Sequence, residues 1–273
     1  MSLSPDFAFT QGSLQDYADC ARRFELRYIQ RLRYPAPEVN QLLEYERRIR
    51  QGNRFHKLAE QHSNGIPADL LVRSLHDDPD LARWWEDTLA GGLEDLPPQR
   101  HAEITLQTPL GGQRLVAKYD LLALQPGGAA VIVDWKTGER IPAPNALEMR
   151  LQTVVYRYVL ACAGAHLYGG PIPPERIRMD YVYVARGAQR VSFAYSAAQL
   201  TADESRLLEM VGAIGTAAEF PLTDNARRCK YCTYRAFCER GEAGDLEDFE
   251  FDEAGEADDA LDLDFDQIAE IEF

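Results

Sequence analysis

No stretch of this 273-residue chain stays apolar for the roughly 20 residues that a membrane-spanning helix requires. Met1 to Phe9 lacks the charged start and apolar run of a secretory signal, so a cytoplasmic protein is expected. Cysteine is scarce, five in all, and in a reducing compartment these thiols are not expected to form disulfides. Lysine and arginine are missing altogether from Gly241 to Phe273, a segment that holds 15 of the 44 acidic residues. Removing it from the formal charge of −15 leaves 29 acids against 29 bases in residues 1–240. The body is therefore neutral. The acidity of the whole chain does not exclude a nucleic-acid surface made of clustered bases.

What is present is organised around Ala129-Ala130-Val131-Ile132-Val133-Asp134-Trp135-Lys136. It reads as a buried strand whose last residues are an acid, an aromatic and a lysine. Residues two apart on a strand share a face, so Asp134 and Lys136 are expected to project together. The preceding apolar run, Val116 to Leu122, carries Asp120, and Gln125-Pro126-Gly127-Gly128 between the two is a hairpin turn signal. Two carboxylates and an ammonium are thus expected on one sheet face. Oxygen ligands of this kind suit Mg²⁺ or Mn²⁺, and a lysine beside them can orient water or offset charge on a phosphoryl oxygen. The plain alternative is a salt bridge at the end of a hairpin.

Asp120, then Asp134-Trp135-Lys136, then Gln152-Thr153-Val154-Val155-Tyr156, with His56 upstream in Gly52-Asn53-Arg54-Phe55-His56, resembles the RecB-like branch of the PD-(D/E)XK nuclease superfamily. In that branch a G-x-x-D strand precedes D-Y-K or a close variant, followed by a helix bearing Q-x-x-x-Y. The resemblance runs from about Ser13 to Cys238. It departs from the family pattern at Ala117, where glycine is usual, and at Trp135, where tyrosine or phenylalanine is usual. The resemblance implies an α/β restriction-endonuclease-like core, a central mixed sheet flanked by helices. It implies that His56, Asp120 and Asp134 hold Mg²⁺ or Mn²⁺, that Lys136 serves the attacking water or the transition state, and that Gln152 and Tyr156 support the site. The implied activity is that of a metal-dependent DNA nuclease, an exonuclease acting on single-stranded DNA or DNA ends, in repair, recombination or CRISPR spacer acquisition. The competing reading is a non-catalytic DNA-binding scaffold for a helicase or a CRISPR adaptation complex.

Along the chain, a helix is expected from Ser13 to about Arg33, with Ser13 as N-cap and an apolar stripe of Tyr17, Ala21, Phe24 and Tyr28. Tyr34-Pro35-Ala36-Pro37 ends it, and a second helix spans about Gln41 to His62. Residues 63–98 read as a helical insertion without evident chemistry. Strands follow from His101, with Gly111-Gly112 as a hairpin turn, and Glu103 reads either as a solvated strand residue, the favoured reading, or as a further carboxylate near the cleft. A helix starts at Pro144-Asn145 with Asn145 and Glu148 as a capping box, and Cys162 further on reads as a small buried thiol. Strands over 177–185 and 190–195, then a helix over 197–219, complete the unit.

Cys229-x₂-Cys232-x₅-Cys238 has the close spacing of metal-binding thiols, and Cys20 is the candidate fourth ligand. Four thiolates suit Zn²⁺ as well as iron–sulfur clusters. One subset of the RecB-like family closes a [4Fe–4S] cluster with one cysteine ahead of the nuclease core and three behind it, which implies that role for Cys20, Cys229, Cys232 and Cys238. Residues 241–273 form an acidic tail with interspersed apolar residues, expected to be disordered when free. Its composition also fits a segment that docks a partner, such as a single-strand-binding protein, or that mimics DNA.

Overall fold

The computed structural model describes residues 3–4, 6–32, 39–91, 93, 95–230 and 232–240. The predicted proline break at 34–37 and the acidic tail lie outside the described residues. The helices are α1 (Gln11–Asp19), α2 (Ala21–Phe24), α3 (Val39–Ser63), α4 (Ala68–Val72), α5 (Pro79–Ala90), α6 (Pro144–Glu148), α7 (Leu151–Ala163), α8 (Ala165–Tyr168), α9 (Ala197–Thr216) and α10 (Ala226–Lys230). The strands are β1 (Ala8–Phe9), β2 (Gln99–Leu110), β3 (Gln113–Leu124), β4 (Ala130–Lys136), β5 (Ile177–Tyr183) and β6 (Gln189–Ala194).

The six strands form one mixed sheet ordered β1-β3-β4-β5-β6, with β2 on the other edge of β3. The hairpins β2–β3, β3–β4 and β5–β6 are antiparallel, whereas β4 and β5 are parallel and are joined through α6, α7 and α8. That crossover explains the burial of all of β4, since a strand inside a βαβ unit is covered on both faces. Ala130 and Ile132 point to a core shared with Leu151, Val154 and Val155 of α7 and Leu207 and Val211 of α9. Val131, Val133 and Trp135 point the other way, into a second core with Phe55 and Leu58 of α3 and Leu81 and Trp85 of α5. Helices α4 and α5, which follow α3, thus join that helix in roofing the second face of the sheet.

Several local expectations are corrected. The first helix is not continuous from Ser13. Thr10 is its N-cap, and Ser13 is the third residue of a reciprocal capping box. Cys20 then breaks it with extended backbone, φ −163° and ψ 109°, before α2 resumes and passes into a π-helical turn over Glu25–Ile29. Asn145 does not cap a long helix either. Ala143 takes that position, and the helix is split at Met149–Arg150, so that α7 begins afresh one residue before Gln152. Cys162, expected to be buried, is exposed at the end of α7.

Candidate active site

The site is built where β3 and β4 part. The β3–β4 ladder pairs Leu124 with Ala130 through Leu121 with Val133 and stops there. At the next position Asp120 does not pair by backbone; its Oδ2 accepts from the Trp135 amide at 2.8 Å. On the other edge of β3 the ladder with β2 is interrupted at the same level. Ala102 pairs with Leu121 and Ile104 with Tyr119, while Glu103 and Asp120 are skipped. Glu103 adopts φ +54°, a left-handed conformation that a non-glycine residue rarely takes inside a strand. Across this kink both strands swap faces. Leu115, Ala117 and Tyr119 belong to the α7 core, whereas Leu121 and Ala123 belong to the α3 core. Two acidic side chains are thereby left out of both cores at the fork between β3 and β4.

Helix α3 brings His56 to this point. Its Nδ1 lies 3.2 Å from Asp120 Oδ1. Gly52, one turn earlier, passes so close to the end of β4 that an added Cβ would sit 3.3 Å from Thr137 Oγ1. His56, Glu103 and Asp120 each offer a ligand atom, all within 4.8 Å of one another and half-buried. An imidazole and two carboxylates fit Mn²⁺, and the carboxylates fit Mg²⁺. Burial works against charge on Asp120, but His56, the Trp135 amide and Lys136 outweigh it and hold the carboxyl below its ordinary range. Glu103 also pairs with Lys118, Nζ to Oε2 at 2.6 Å.

Asp134 and Lys136 occupy the α7 side of the same sheet end. Lys136 Nζ lies 2.6 Å from Asp134 Oδ2 and donates to Gln152 Oε1 at 3.0 Å, while Gln152 Nε2 donates to Asp134 Oδ1 at 2.7 Å. The ring is closed in, with Asp134, Lys136 and Gln152 all buried. Tyr181 borders it: its hydroxyl lies 2.7 Å from Thr153 Oγ1 and its ring 5.2 Å from Lys136 Nζ. Burial, and after it Asp134, pushes the Tyr181 phenol up, so it serves as a neutral partner. Tyr156, four residues after Gln152 on α7, is buried with its ring against Tyr119, whose hydroxyl donates to the Tyr156 carbonyl. The predicted residues thus form two adjoining groups: His56 and Asp120 with Glu103 on one side, Asp134, Lys136 and Gln152 on the other. For Glu103 the structure favours the carboxylate near the cleft over the solvated strand residue that the sequence favours. Its only local signal was being an acid in the strand that precedes Asp120.

A model of the PD-(D/E)XK nuclease superfamily matches residues 8–239. The chain belongs to that superfamily. Its members are metal-dependent nucleases. Among solved structures, the chain is similar to a "Putative exonuclease" from Eubacterium rectale, at 12% identity over 89% of this chain and 91% of that one, with a TM-score of 0.46. It is also similar to SSO0001, at 14% identity over 85% of both chains, with a TM-score of 0.38. Comparison with curated proteins gives no match. Among the described residues, no helix is long and apolar enough to cross a membrane.

A second constellation lies at the chain ends. Cys20, Cys229, Cys232 and Cys238 line one pocket together with Arg23, Arg228 and Tyr234. Cys20, which lines this pocket, is the residue at the helix break. Asp19, next to it, pairs with both Arg23 and Arg228, at 2.8 and 2.6 Å, and Tyr234 donates to the Leu32 carbonyl. Burial, together with the neighbouring thiols, pushes Cys232 and Cys238 up, so as free groups they stay protonated. The four thiols line this pocket, a setting that suits a thiolate-ligated centre, and a bound cation would reverse that shift.

Proposed function

We propose that the chain is a divalent-metal-dependent deoxyribonuclease acting on single-stranded DNA or DNA ends. The observation that supports this best is the convergence of His56, Glu103 and Asp120 at the β3–β4 fork, against the buried Asp134–Lys136–Gln152 ring. Mg²⁺ or Mn²⁺, when bound, would polarise the scissile phosphate and acidify water. His56, Asp120 and Asp134 are its proposed ligands, with Glu103 added. Lys136, held in one orientation by Asp134 and Gln152, is placed to hold the attacking water or to offset charge developing on the phosphoryl oxygens. Gln152 fixes both charged partners, and Tyr156 buttresses the helix that carries Gln152.

The test is cleavage of labelled single- and double-stranded DNA with Mn²⁺ or Mg²⁺. Wild type is expected to degrade DNA only with metal, whereas Asp134→Ala and Lys136→Ala are expected to be inactive. Metal-independent behaviour shared by all three proteins would favour a DNA-binding scaffold instead.

We further propose that Cys20, Cys229, Cys232 and Cys238 hold a [4Fe–4S] cluster that ties the N-terminal helices to the C-terminal segment. Closing so long a loop restricts the unfolded chain. Anaerobically purified protein is expected to be brown, with broad absorbance at about 400 nm that Cys20→Ser removes. A colourless protein carrying one zinc would replace the cluster with a Zn²⁺ site.

A further inference from the structure

The proposed reaction gives Lys118 no role. Lys118 lies on β3 two residues before Asp120, and its ammonium is 2.6 Å from Glu103 Oε2. Glu103 also contributes an oxygen to the group with His56 and Asp120. One carboxylate therefore faces two cationic demands, the lysine present in the pair and the ion the site fits. The two are not equal in strength. Lys118 and Glu103 are both partly solvated, with side chains 34% and 26% exposed, and such a pair is weak. A dication held by an imidazole and two carboxylates outcompetes a single solvated ammonium and repels it at this range.

We infer that Glu103 and Lys118 form an exchangeable pair: ion binding draws Glu103 onto the metal and releases Lys118 to a DNA backbone phosphate beside the scissile one. This rests on the metal-site reading above and goes beyond it, because it couples ion occupancy to phosphate binding. An ammonium is suited to the second half of the exchange, since as a compact point charge on a flexible stem it reaches a new anion without a fixed fork geometry. Before the ion arrives the lysine is neutralised by Glu103. After it arrives the lysine adds one phosphate contact. DNA would then be gripped in full only by the metal-loaded protein.

Two measurements that do not depend on cleavage test the exchange. The first is Mn²⁺ binding to DNA-free protein, followed by loss of the free-ion EPR signal. Glu103→Gln is expected to weaken binding by about tenfold or more, and Lys118→Met to tighten it roughly threefold, the scale of an exposed pair removed as competitor. Glu103→Gly serves as the folding control, because it removes the carboxylate while relieving the positive φ, and it is expected to bind Mn²⁺ as poorly as Glu103→Gln. The second is DNA affinity against salt, with Ca²⁺ as the ion. Lys118→Met is expected to lower the slope by about 0.7 to 0.9, one phosphate contact, with Ca²⁺ present and to leave it unchanged without. Equal Mn²⁺ affinity for wild type and Lys118→Met, or a slope lowered equally with and without ion, would overturn the exchange. The nuclease reading stands or falls separately, on the Asp134→Ala and Lys136→Ala cleavage assay.

Discussion

The Asp134–Lys136 pair makes a sharp test of how the site is held, because its side chains are only 4% and 1% exposed. Replacing Lys136 with methionine keeps the volume and removes the charge. The attraction lost at 2.6 Å is about 6 kcal/mol at an effective dielectric of about 20. Part of that was already cancelled by burying the two ions, so the expected net loss is that of breaking a buried pair, about 3–5 kcal/mol. It falls on Asp134, which keeps Gln152 Nε2 but loses its cation. Against a typical domain stability of about 5–15 kcal/mol, this is a large fraction. The double variant Asp134→Asn/Lys136→Met removes both charges and is expected to recover most of the loss, since replacing a whole buried pair is often close to neutral. Urea unfolding at pH 7, followed by circular dichroism with m-values compared, measures all four corners of the cycle. A Lys136→Met protein within about 0.5 kcal/mol of wild type, or a double variant as unstable as the summed singles, would refute the reasoning. In the first case the pair would be solvated, and in the second its members would not interact.

Two further outcomes are expected. Gly52→Ala sets a gain of about 1 kcal/mol in helix propensity against the tight approach to Thr137, so its unfolding midpoint should barely move. If the helix rather than the Thr137 side chain yields, His56 moves with it and Mn²⁺-dependent cleavage falls; unchanged cleavage would show that the Thr137 side chain absorbs the added methyl. Asp120 has a depressed pKa in the fold, so its contribution to stability is present above the unfolded carboxylate value of about 3.9 and is lost as pH falls through the folded value. Asp120→Asn is therefore expected to lose less stability than wild type on acidification below about pH 4, as read from thermal unfolding across pH. Parallel curves would mean that His56 and the Trp135 amide do not stabilise the charge.

Elements whose signal is periodic and local were legible from residue order alone. The apolar run Ala129 to Val133, ending in Asp134-Trp135-Lys136, could only be a covered strand with its charged end used or paired. The turn residues at 111–112 and 125–128 fixed the hairpins, and four-residue spacing placed Gln152 and Tyr156 on one face of a helix. Tertiary structure decided what depends on two segments meeting. Glu103 joins His56 and Asp120 only because β2 and β3 kink together, and no one-dimensional period encodes a paired kink. The helix break at Cys20 lies in a segment whose own propensity is helical, and a pocket shared with the distant Cys229, Cys232 and Cys238 accompanies it. Residues 63–98 read as helices of no evident purpose, because what they roof, the Val131, Val133 and Trp135 face of β4, appears only once the sheet is assembled. Local spacing reports which face of an element is apolar, but what that face meets is settled by long-range packing.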